Sequence, residues 1–219
     1  MFLLYFIKVK KHVFNVYFIC ELMFLASMVE IGLPSNCVDV IRYCELMFCI
    51  DNCVPLLIQQ KLPGFNAFNR SWAEYKVGFN DSRGNYWLGN DLLSQLTMTG
   101  RYKLRFDLQS RSNTSNWYSA EYSALIVLSE SSNYTLHVSG YKGNVRRDAL
   151  SYHNGMQFTT IDRDNDQKSS GNCVTSYGGG FWYKNCYHCC VNCKYNHFHW
   201  SSLPGGDALQ SSRMWLLCK

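Results

Sequence analysis

Two segments in the middle of the chain alternate apolar and polar side chains with the period of a β-strand. They are Tyr102–Leu108 and Tyr134–Val138, and in each the side chains two positions apart lie on one face of a sheet. Tyr122–Leu128 is apolar almost throughout, which predicts a third strand buried on both faces. The polar run 109–116 predicts a hairpin loop between these strands.

Two short helices are predicted on the N-terminal side of these strands. The first covers Trp72–Phe79, with Ser71 as its N-cap and Gly78 near its end. The second covers Asp91–Leu96 and follows a short apolar segment, with Asn90 as its N-cap. Short helices among alternating strands indicate an α+β domain.

The composition describes a globular chain of 219 residues, enough for one sizeable domain or a domain with a short appendage. The net charge of +5 is spread along the chain without a Lys/Arg run, which argues against a nucleic-acid partner. Eleven cysteines favour an oxidising compartment, and we expect a secreted, extracellular protein. The four Asn-x-Ser/Thr sequons agree with secretion and are candidate glycosylation sites: Asn69, Asn80, Asn113 and Asn133.

Residues 1–50 form a divergent N-terminal segment ahead of a domain that we place at 51–219. Two apolar runs, 1–7 and 13–29, flank Lys8, Lys10 and Lys11, and the second contains Asn15 and Glu21. Neither run reaches the uninterrupted length of a membrane span. A basic patch before an apolar stretch fits a signal peptide, and a signal anchor or a misassigned start are the alternatives.

Three carboxylates alternate at Asp162, Asp164 and Asp166. Clustered carboxylates repel one another unless a cation lies among them, and oxygen ligands on a flexible turn suit calcium. The spacing is not that of an EF-hand, because Gln167 stands where that loop needs glycine and Cys173 where it needs glutamate. A solvated acidic turn is the alternative interpretation.

Several long stretches, collinear along the chain, resemble the fibrinogen C-terminal-related domain, a family that includes ficolins, tenascins, angiopoietins and tachylectin-type lectins. The stretches are FNRSWAEYKVGFN (68–80), GNYWLGNDLLSQLT (84–97), RYKLRFDL (101–108), LHVSGYKG (136–143), YHNGMQFTTIDRDND (152–166) and FWYKNC (181–186). The resemblance covers roughly residues 56 to 217. It implies a twisted antiparallel sheet with short helices and a loop-rich, calcium-binding C-terminal subdomain.

The resemblance also implies specific site residues. Calcium would be bound by the carboxylates of Asp164 and Asp166 and by backbone carbonyls near Lys168 and Ser170. The family's disulfide corresponds to Cys173–Cys186.

In lectin-like members, a cis peptide at the position of Asn185–Cys186 presents backbone N–H groups to an acetyl group among aromatic side chains. Tyr177 and Tyr187 stand at two wall positions. The chain passes from Tyr195 to Trp200 in five steps where the family has a longer loop, so we expect one pocket wall to be missing.

A second motif stands where the chain departs from the family pattern. It is a dense cluster of soft ligands: His188, Cys189, Cys190, Cys193, His197 and His199. The cluster could hold zinc, but we favour additional disulfides or drift from the family pattern. No catalytic motif stands out, and His153 in its turn is interpreted as structural; we expect no enzyme.

The leading hypothesis is a calcium-dependent recognition module that binds acetylated or anionic glycans through an eroded pocket. A protein-interaction or structural module that binds no sugar is the first alternative, and an intracellular zinc-binding protein is the second. A homo-oligomer is compatible with either recognition module.

Overall fold

The computed structural model describes residues 55–64 and 67–219. Residues Pro55–Lys219 form one compact unit, and the description below concerns this unit. The predicted signal segment and the predicted start of the domain at residue 51 both lie outside the described residues.

A seven-stranded antiparallel sheet forms the centre of this unit, in the order β2-β3-β1-β9-β4-β5-β6. Its strands are β1 (Leu56–Lys61), β2 (Phe79–Asn80), β3 (Tyr86–Trp87), β4 (Tyr102–Ser110), β5 (Trp117–Val127), β6 (Leu136–Gly143) and β9 (Leu209–Cys218). The C-terminal strand β9 lies between β1 and β4. The first and last strands of the unit are therefore neighbours.

The helices and the remaining strands are short. The helices are α1 (Trp72–Val77), α2 (Asn90–Met98) and α3 (Cys173–Tyr177), and a second, two-stranded sheet pairs β7 (Cys189–Cys190) with β8 (His199–Trp200). Single turns of 3-10 helix occur at Glu130–Ser132, Leu150–His153 and Tyr195–His197. The fold is the α+β architecture that the sequence predicts.

Strand β4 confirms the alternation argument, because its residues alternate between buried and half-buried along its whole length. Strand β5 begins at Trp117, earlier than predicted. The prediction that it is buried on both faces is wrong, since Ser123 and Ile126 face solvent. Strand β6 begins at Leu136 because Asn133 and Tyr134 both have a φ of 50°, which is incompatible with a strand.

The two predicted helices are present, with different ends. Ser71 caps α1 as predicted, in a capping box in which its hydroxyl and the Glu74 carboxylate each receive a backbone N–H of the other residue. Helix α1 ends at Val77, and Gly78 is its C-cap. The predicted cap of α2 is wrong: Asn90 is the first helical residue, and its side chain accepts a hydrogen bond from Trp87 Nε1.

An aromatic core lies between the sheet and the chain that follows β6. The ring of Trp182 lies 6.2 Å from Trp87 and 5.1 Å from Phe158. On β4, Phe106 lies 4.9 Å from Trp200 of β8. The loop-rich C-terminal part therefore contributes aromatic side chains to the core and packs against the sheet through them.

Candidate functional site

The buried His153 fixes the backbone at the centre of the loop-rich part. Its Nδ1 lies 2.7 Å from the carbonyl oxygen of Trp182, and its Nε2 lies 3.2 and 3.3 Å from the amide nitrogens of His188 and Cys189. A neutral ring that donates from Nδ1 and accepts at Nε2 satisfies all three partners. Burial lowers the pKa of His153 to about 3, so the ring is neutral at physiological pH. The structural interpretation of His153 is supported.

The first acid of the alternating trio, Asp162, anchors the loop to helix α1. Asp162 Oδ1 accepts hydrogen bonds from the amide of Trp72, at 2.8 Å, and from the hydroxyl of Thr160, at 2.7 Å. The neighbouring Arg163 guanidinium lies 4.0 Å from the Trp72 ring centroid. Asp162 thus adds a cap to the N-terminus of α1, where a negative charge is favoured.

The other two acids belong to the turn that leads to α3. Asp166 Oδ1 accepts from the amide of Lys168 at 2.8 Å, and its Oδ2 accepts from the amide of Cys173 at 2.7 Å. Asp164 Oδ1 accepts from the amide of Asp166. Burial raises the pKa of the Asp166 carboxyl, and the nearby Asp164 charge raises it further against the effect of those amides. A cation at this turn would favour the ionised form of Asp166 and so lower its pKa.

The donor set of this turn fits a hard cation only if backbone oxygens and water take part. Among the described residues, no group of three or more His, Cys, Asp or Glu side chains could hold a metal ion. The carbonyl oxygens of Lys168 and Ser170 accept no hydrogen bond from the described part of the chain. Two carboxylates and two free carbonyls are oxygen ligands of the kind that calcium takes.

A disulfide joins the turn to the segment that follows. Cys173 and Cys186 are bonded, with their Cα atoms 5.7 Å apart, which is the pairing that the resemblance implies. Cys173 opens α3, which Asn172 caps through a hydrogen bond to the amide of Val174. The carboxylate of Asp166, the helix carrying Tyr177 and the bend before Tyr187 are therefore tied to one another.

The bend itself contains free backbone donors. The amides of Asn185, Cys186 and Tyr187 donate no hydrogen bond to any residue that the structure describes. Tyr152 donates from its hydroxyl to the Asn185 carbonyl oxygen at 3.0 Å, and the Lys184 amide donates to the Cys186 carbonyl oxygen at 2.9 Å. These two bonds hold the carbonyls and leave the three N–H groups without a partner in the described chain.

The cis peptide expected between Asn185 and Cys186 is wrong for this chain, because the described residues contain no cis peptide bond. A non-proline cis bond costs about 3–4 kcal/mol. Here the turn closed by the Lys184 amide produces the bend with trans bonds alone.

Two predicted wall residues do meet, and a third ring joins them. The Tyr177 ring centroid lies 4.9 Å from that of Tyr187 and 4.9 Å from that of His197, and both pairs are edge-on. Tyr187 Oη lies 2.9 Å from His197 Nδ1. The short segment after Tyr195 was expected to leave a wall missing, yet it places His197 against both tyrosines. Nothing in the sequence pattern identified His197 as a wall residue.

Gly179 allows the glycine run to lie close to the segment that follows the bend. Gly179 has a φ of 71°, and a Cβ atom on it would lie 2.1 Å from the carbonyl oxygen of Asn192. On the other side, the Gln59 side-chain amide donates to the Val191 carbonyl and to Asn192 Oδ1, each at 3.0 Å. The segment after the bend is thereby fixed both to the glycine run and to β1.

The comparisons with known proteins agree with this architecture. The family model described as fibrinogen beta and gamma chains, C-terminal globular domain, matches residues 27–208. The chain belongs to this family.

Curated relatives support the assignment. Protein scabrous of Drosophila melanogaster is 38% identical over 160 residues, covering 72% of this chain and 20% of that protein. Mouse tenascin is 40% identical over 146 residues, covering 63% of this chain and 7% of tenascin. Fibrinogen-like protein A of Apostichopus parvimensis is 38% identical over 160 residues, covering 69% of this chain and 55% of that protein. The chain thus spans less than two thirds of each of these relatives.

Solved structures support the fold. The fibrinogen-like globe domain of human ANGPTL2 matches with a TM-score of 0.68 and 34% identity, covering 74% of this chain and 79% of that chain. Lamprey fibrin D-dimer, in complex with the peptide ligand Gly-His-Arg-Pro-amide, matches with a TM-score of 0.64 and 28% identity, covering 74% and 60%.

The cysteine cluster of this fibrinogen-related domain contains a disulfide. Cys190 and Cys193 are bonded to each other, and the Tyr183 hydroxyl lies 3.3 and 3.0 Å from their sulfur atoms. Cys189 is a buried free thiol whose pKa is raised by burial, and Cys218 is disulfide-bonded. The disulfide alternative is confirmed, and the Cys-x-x-Cys pair cannot serve as zinc ligands in this state.

The four sequons differ in their surroundings. Asn69, Asn80 and Asn113 are exposed. Asn133 is half-buried, and its side chain is hydrogen-bonded to the side chains of Gln157 and Arg163. The first three positions have room for a glycan.

No helix in the described part of this domain has the length and apolar character needed to cross a membrane.

Proposed function

We propose that this fibrinogen-related domain is a non-catalytic, extracellular recognition module whose ligand binds at the bend of Asn185, Cys186 and Tyr187. The proposal rests on three consecutive backbone N–H groups that donate no hydrogen bond to any described residue. They lie beside the rings of Tyr177 and Tyr187. Unpaired amides next to apolar ring surface suit a small group with one acceptor oxygen and a methyl.

The acetyl group of an acetylated glycan has this chemistry. Its carbonyl oxygen accepts from the bend while its methyl packs on the tyrosine rings. The affinity of one domain for one sugar is expected to be about millimolar, because the ligand is held through one small group.

Calcium would support this site without contacting the ligand. The calcium ion would be coordinated by the carboxylates of Asp164 and Asp166 and by the backbone carbonyls of Lys168 and Ser170. When bound, the ion supplies positive charge that stabilises the two carboxylates. Asp166 also accepts from the amide of Cys173, so an ordered Asp166 would hold the disulfide that leads to the bend.

An extracellular location is supported by the disulfides. Cys173–Cys186 and Cys190–Cys193 are formed, and Cys218 is disulfide-bonded as well. Protein disulfides of this kind persist in oxidising compartments.

A peptide or protein ligand at the same bend is the second candidate. It is favoured by the structural similarity to lamprey fibrin D-dimer, whose structure contains a bound tetrapeptide. A peptide could use the same amides, since its carbonyl oxygens are equally good acceptors.

Titration of the calcium-loaded domain followed by backbone chemical shifts tests both candidates. N-acetylglucosamine and Gly-His-Arg-Pro-amide are the probes. Saturable shifts near residues 177 and 185–187 with the sugar support the glycan ligand, and the same shifts with the peptide alone support the second candidate. If neither probe at tens of millimolar moves these resonances, the bend is not the site for either class.

A further inference from the structure

Arg111 lies in the loop between β4 and β5 and binds the segment that carries His197. Its Nη2 donates to the carbonyl oxygen of Tyr195 at 2.5 Å. Its Nε and Nη2 both donate to the carbonyl oxygen of Leu209, at 3.1 and 3.0 Å. The guanidinium carbon lies 3.6 Å from the centroid of the Tyr195 ring, where a planar cation stacks on the ring face. One side chain therefore holds both ends of the segment 195–209.

Within the described residues, the hydrogen bonds of the Arg111 side chain go only to this segment. The ion pairs found there do not include Arg111. Its backbone amide donates to the carbonyl oxygen of Ala208 at 3.0 Å. A Cβ atom on Gly205 would lie 3.1 Å from the hydroxyl oxygen of Ser112, so the hairpin loop is packed along the segment. The charge of Arg111 thus serves to fix backbone carbonyls, because charge-assisted hydrogen bonds are stronger than neutral ones.

Tyr195 is the first residue of the single 3-10 turn that contains His197. The far end of this turn is fixed by the core, because Phe198 is buried and its carbonyl oxygen accepts from the amide of Leu209 at 2.9 Å. The near end has less support from the core, since Tyr195 is 44% exposed. Arg111 supplies the support that burial does not give there.

His197 depends on this turn for its contacts with the two tyrosines of the candidate site. The amide of Lys194, one residue before the turn, donates to the carbonyl oxygen of Tyr177 at 2.9 Å, which brings the turn to the rings. The His197 ring centroid then lies 4.9 Å from that of Tyr177, and its Nδ1 lies 2.9 Å from Tyr187 Oη. His197 is half-buried, so close packing alone does not hold its ring in place. Burial and the positive charge of Lys194 lower the pKa of His197, and this shift depends on where the ring lies.

We propose that Arg111 is a positioning residue of the candidate site: it holds Tyr195 and thereby places His197 against Tyr177 and Tyr187. The inference rests on the proposed function of the bend, because it concerns how that site is built. Without Arg111, the exposed Tyr195 loses a charged donor at its carbonyl and a stacking partner at its ring. The turn is then free to move away from the tyrosines, and the Tyr187 hydroxyl loses its partner.

The position of His197 can be measured without a ligand. In the full wild-type chain we expect nuclear Overhauser contacts between the His197 ring and the rings of Tyr177 and Tyr187. In Arg111→Gln these contacts should vanish, and the pKa of His197 should rise toward its ordinary value of about 6.5 because the ring moves into water. A pH titration of the His197 ring protons gives this pKa. A substitution that only destabilised the fold would lower the free energy of unfolding and leave this pKa unchanged in the folded chain.

Three further variants separate the geometry of Arg111 from its charge. Arg111→Lys keeps the charge but lacks the planar fork that bridges two carbonyls and stacks on a ring, so it should resemble Arg111→Gln; full recovery by lysine would contradict the geometric role. Tyr195→Leu removes the stacking surface and keeps the carbonyl, and it should shift His197 in the same direction by less. Arg213→Gln is the matched control, because Arg213 also lies over an aromatic ring of the central sheet, that of Trp117, at 5.1 Å. It should leave His197 unchanged.

Ligand binding then shows whether the position of His197 matters to the site. In the presence of calcium, we expect N-acetylglucosamine to bind Arg111→Gln about fivefold more weakly than the wild-type chain, which is the effect of about one lost hydrogen bond. Arg213→Gln should bind the sugar as the wild-type chain does.

The possible failures are distinct. If His197 keeps its ring contacts and its pKa in Arg111→Gln, the positioning role is wrong while the proposed function stands; should that variant not fold, Tyr195→Leu decides in the same way. If His197 moves and sugar binding is unchanged, His197 does not belong to the site and the inference fails. If the wild-type chain binds neither N-acetylglucosamine nor Gly-His-Arg-Pro-amide, the proposed function fails and the inference fails with it.

Discussion

Strand β4 and the segment 181–193 are both largely buried, and they become buried in different ways. In β4 every second residue is buried, from Tyr102 to Ser110, and the hydrogen bonds go to the neighbouring strands. In the segment, the consecutive residues Phe181, Trp182 and Tyr183 are all buried. Alternation cannot produce this, because a strand sends successive side chains to opposite faces.

The segment satisfies its polar atoms one by one. Trp182 Nε1 donates to the Tyr134 carbonyl oxygen at 2.7 Å, and the Tyr183 hydroxyl donates to the carbonyls of Gly178 and Gly179. His153 forms hydrogen bonds with the backbone on both sides of the bend, at Trp182 and at His188. A segment built in this way can be ordered and still leave amides unpaired, whereas an interior strand uses all of its amides in the ladder. That difference explains why the candidate site lies in the loop-rich part.

The largest expected effect comes from breaking the contact between β4 and Trp200 of β8, in the loop-rich part. Phe106→Ala removes a fully buried ring that packs on Trp200, and we expect a loss of about 3–5 kcal/mol in the free energy of unfolding. Urea unfolding measures it. Ile126→Ala, an exposed position on the adjacent strand β5, is the control and should cost much less. Equal losses of stability in both variants would show that Phe106 of β4 does not belong to a core shared with the loop-rich part.

The two disulfides should stabilise the domain to different extents, because they close loops of different length. Removing Cys173–Cys186, with a sequence separation of 13, should cost about 3 kcal/mol in the chain-entropy description. Removing Cys190–Cys193, with a separation of 3, should cost about 2 kcal/mol. Paired serine variants compared by urea unfolding provide the test. A larger loss for the second pair would mean that packing around its sulfur atoms outweighs loop closure.

Calcium should raise the melting temperature, and chelation should lower it. At a hundredfold excess over the dissociation constant, the gain is about 2.7 kcal/mol. Asp164→Asn or Asp166→Asn should abolish the response. Asp162→Asn, which weakens the cap on α1, should destabilise the domain and keep the response.

The response should also depend on pH. The pKa of Asp166 is raised in the folded chain, so the calcium-free domain loses stability as pH rises above the ordinary carboxyl range and calcium restores it. The response should accordingly weaken in acid. A melting curve that chelator does not change would remove calcium from this account.

Protonation of His153 should give a smaller effect that is confined to acid pH. Its pKa falls from 6.5 to about 3 on folding, so the unfolded chain binds the proton more tightly between these values. Stability contributed by the neutral ring is complete above pH 6.5 and decreases as the pH falls, by about 1.4 kcal/mol per pH unit. His153→Gln should lack this slope. Urea unfolding of both chains at pH 7.5, 6.5 and 5.5 gives the difference, and parallel curves would contradict the assignment.

The sequence predicts the sheet better than the site because the two are encoded differently. Strand β4 and helix α1 carry their own signals, a period of two and an N-cap serine, and both begin at the predicted residue. The boundary of β6 depends on left-handed backbone at Asn133 and Tyr134, and only asparagine has a recognised preference for it.

In the site, the pairing of Cys173 with Cys186 and the approach of Tyr177 to Tyr187 follow from the family resemblance. The contribution of His197 does not, because it depends on how a shortened segment closes against a distant helix. The anchoring role of Asp162 likewise arises from a contact with Trp72, which is far away in the sequence. Patterns within a window of neighbouring residues contain no information about these contacts.

The most direct test of the central claim is the affinity of the Tyr177→Ala variant for N-acetylglucosamine in the presence of calcium. Tyr177 lines the proposed site and contributes no oxygen to the acidic turn. The account predicts that sugar-induced chemical shifts at residues 185–187 disappear, while the calcium-dependent rise in melting temperature is unchanged. Tyr118→Ala, at a half-buried tyrosine on β5, should keep both. Undiminished sugar binding by a folded Tyr177→Ala domain would contradict the account.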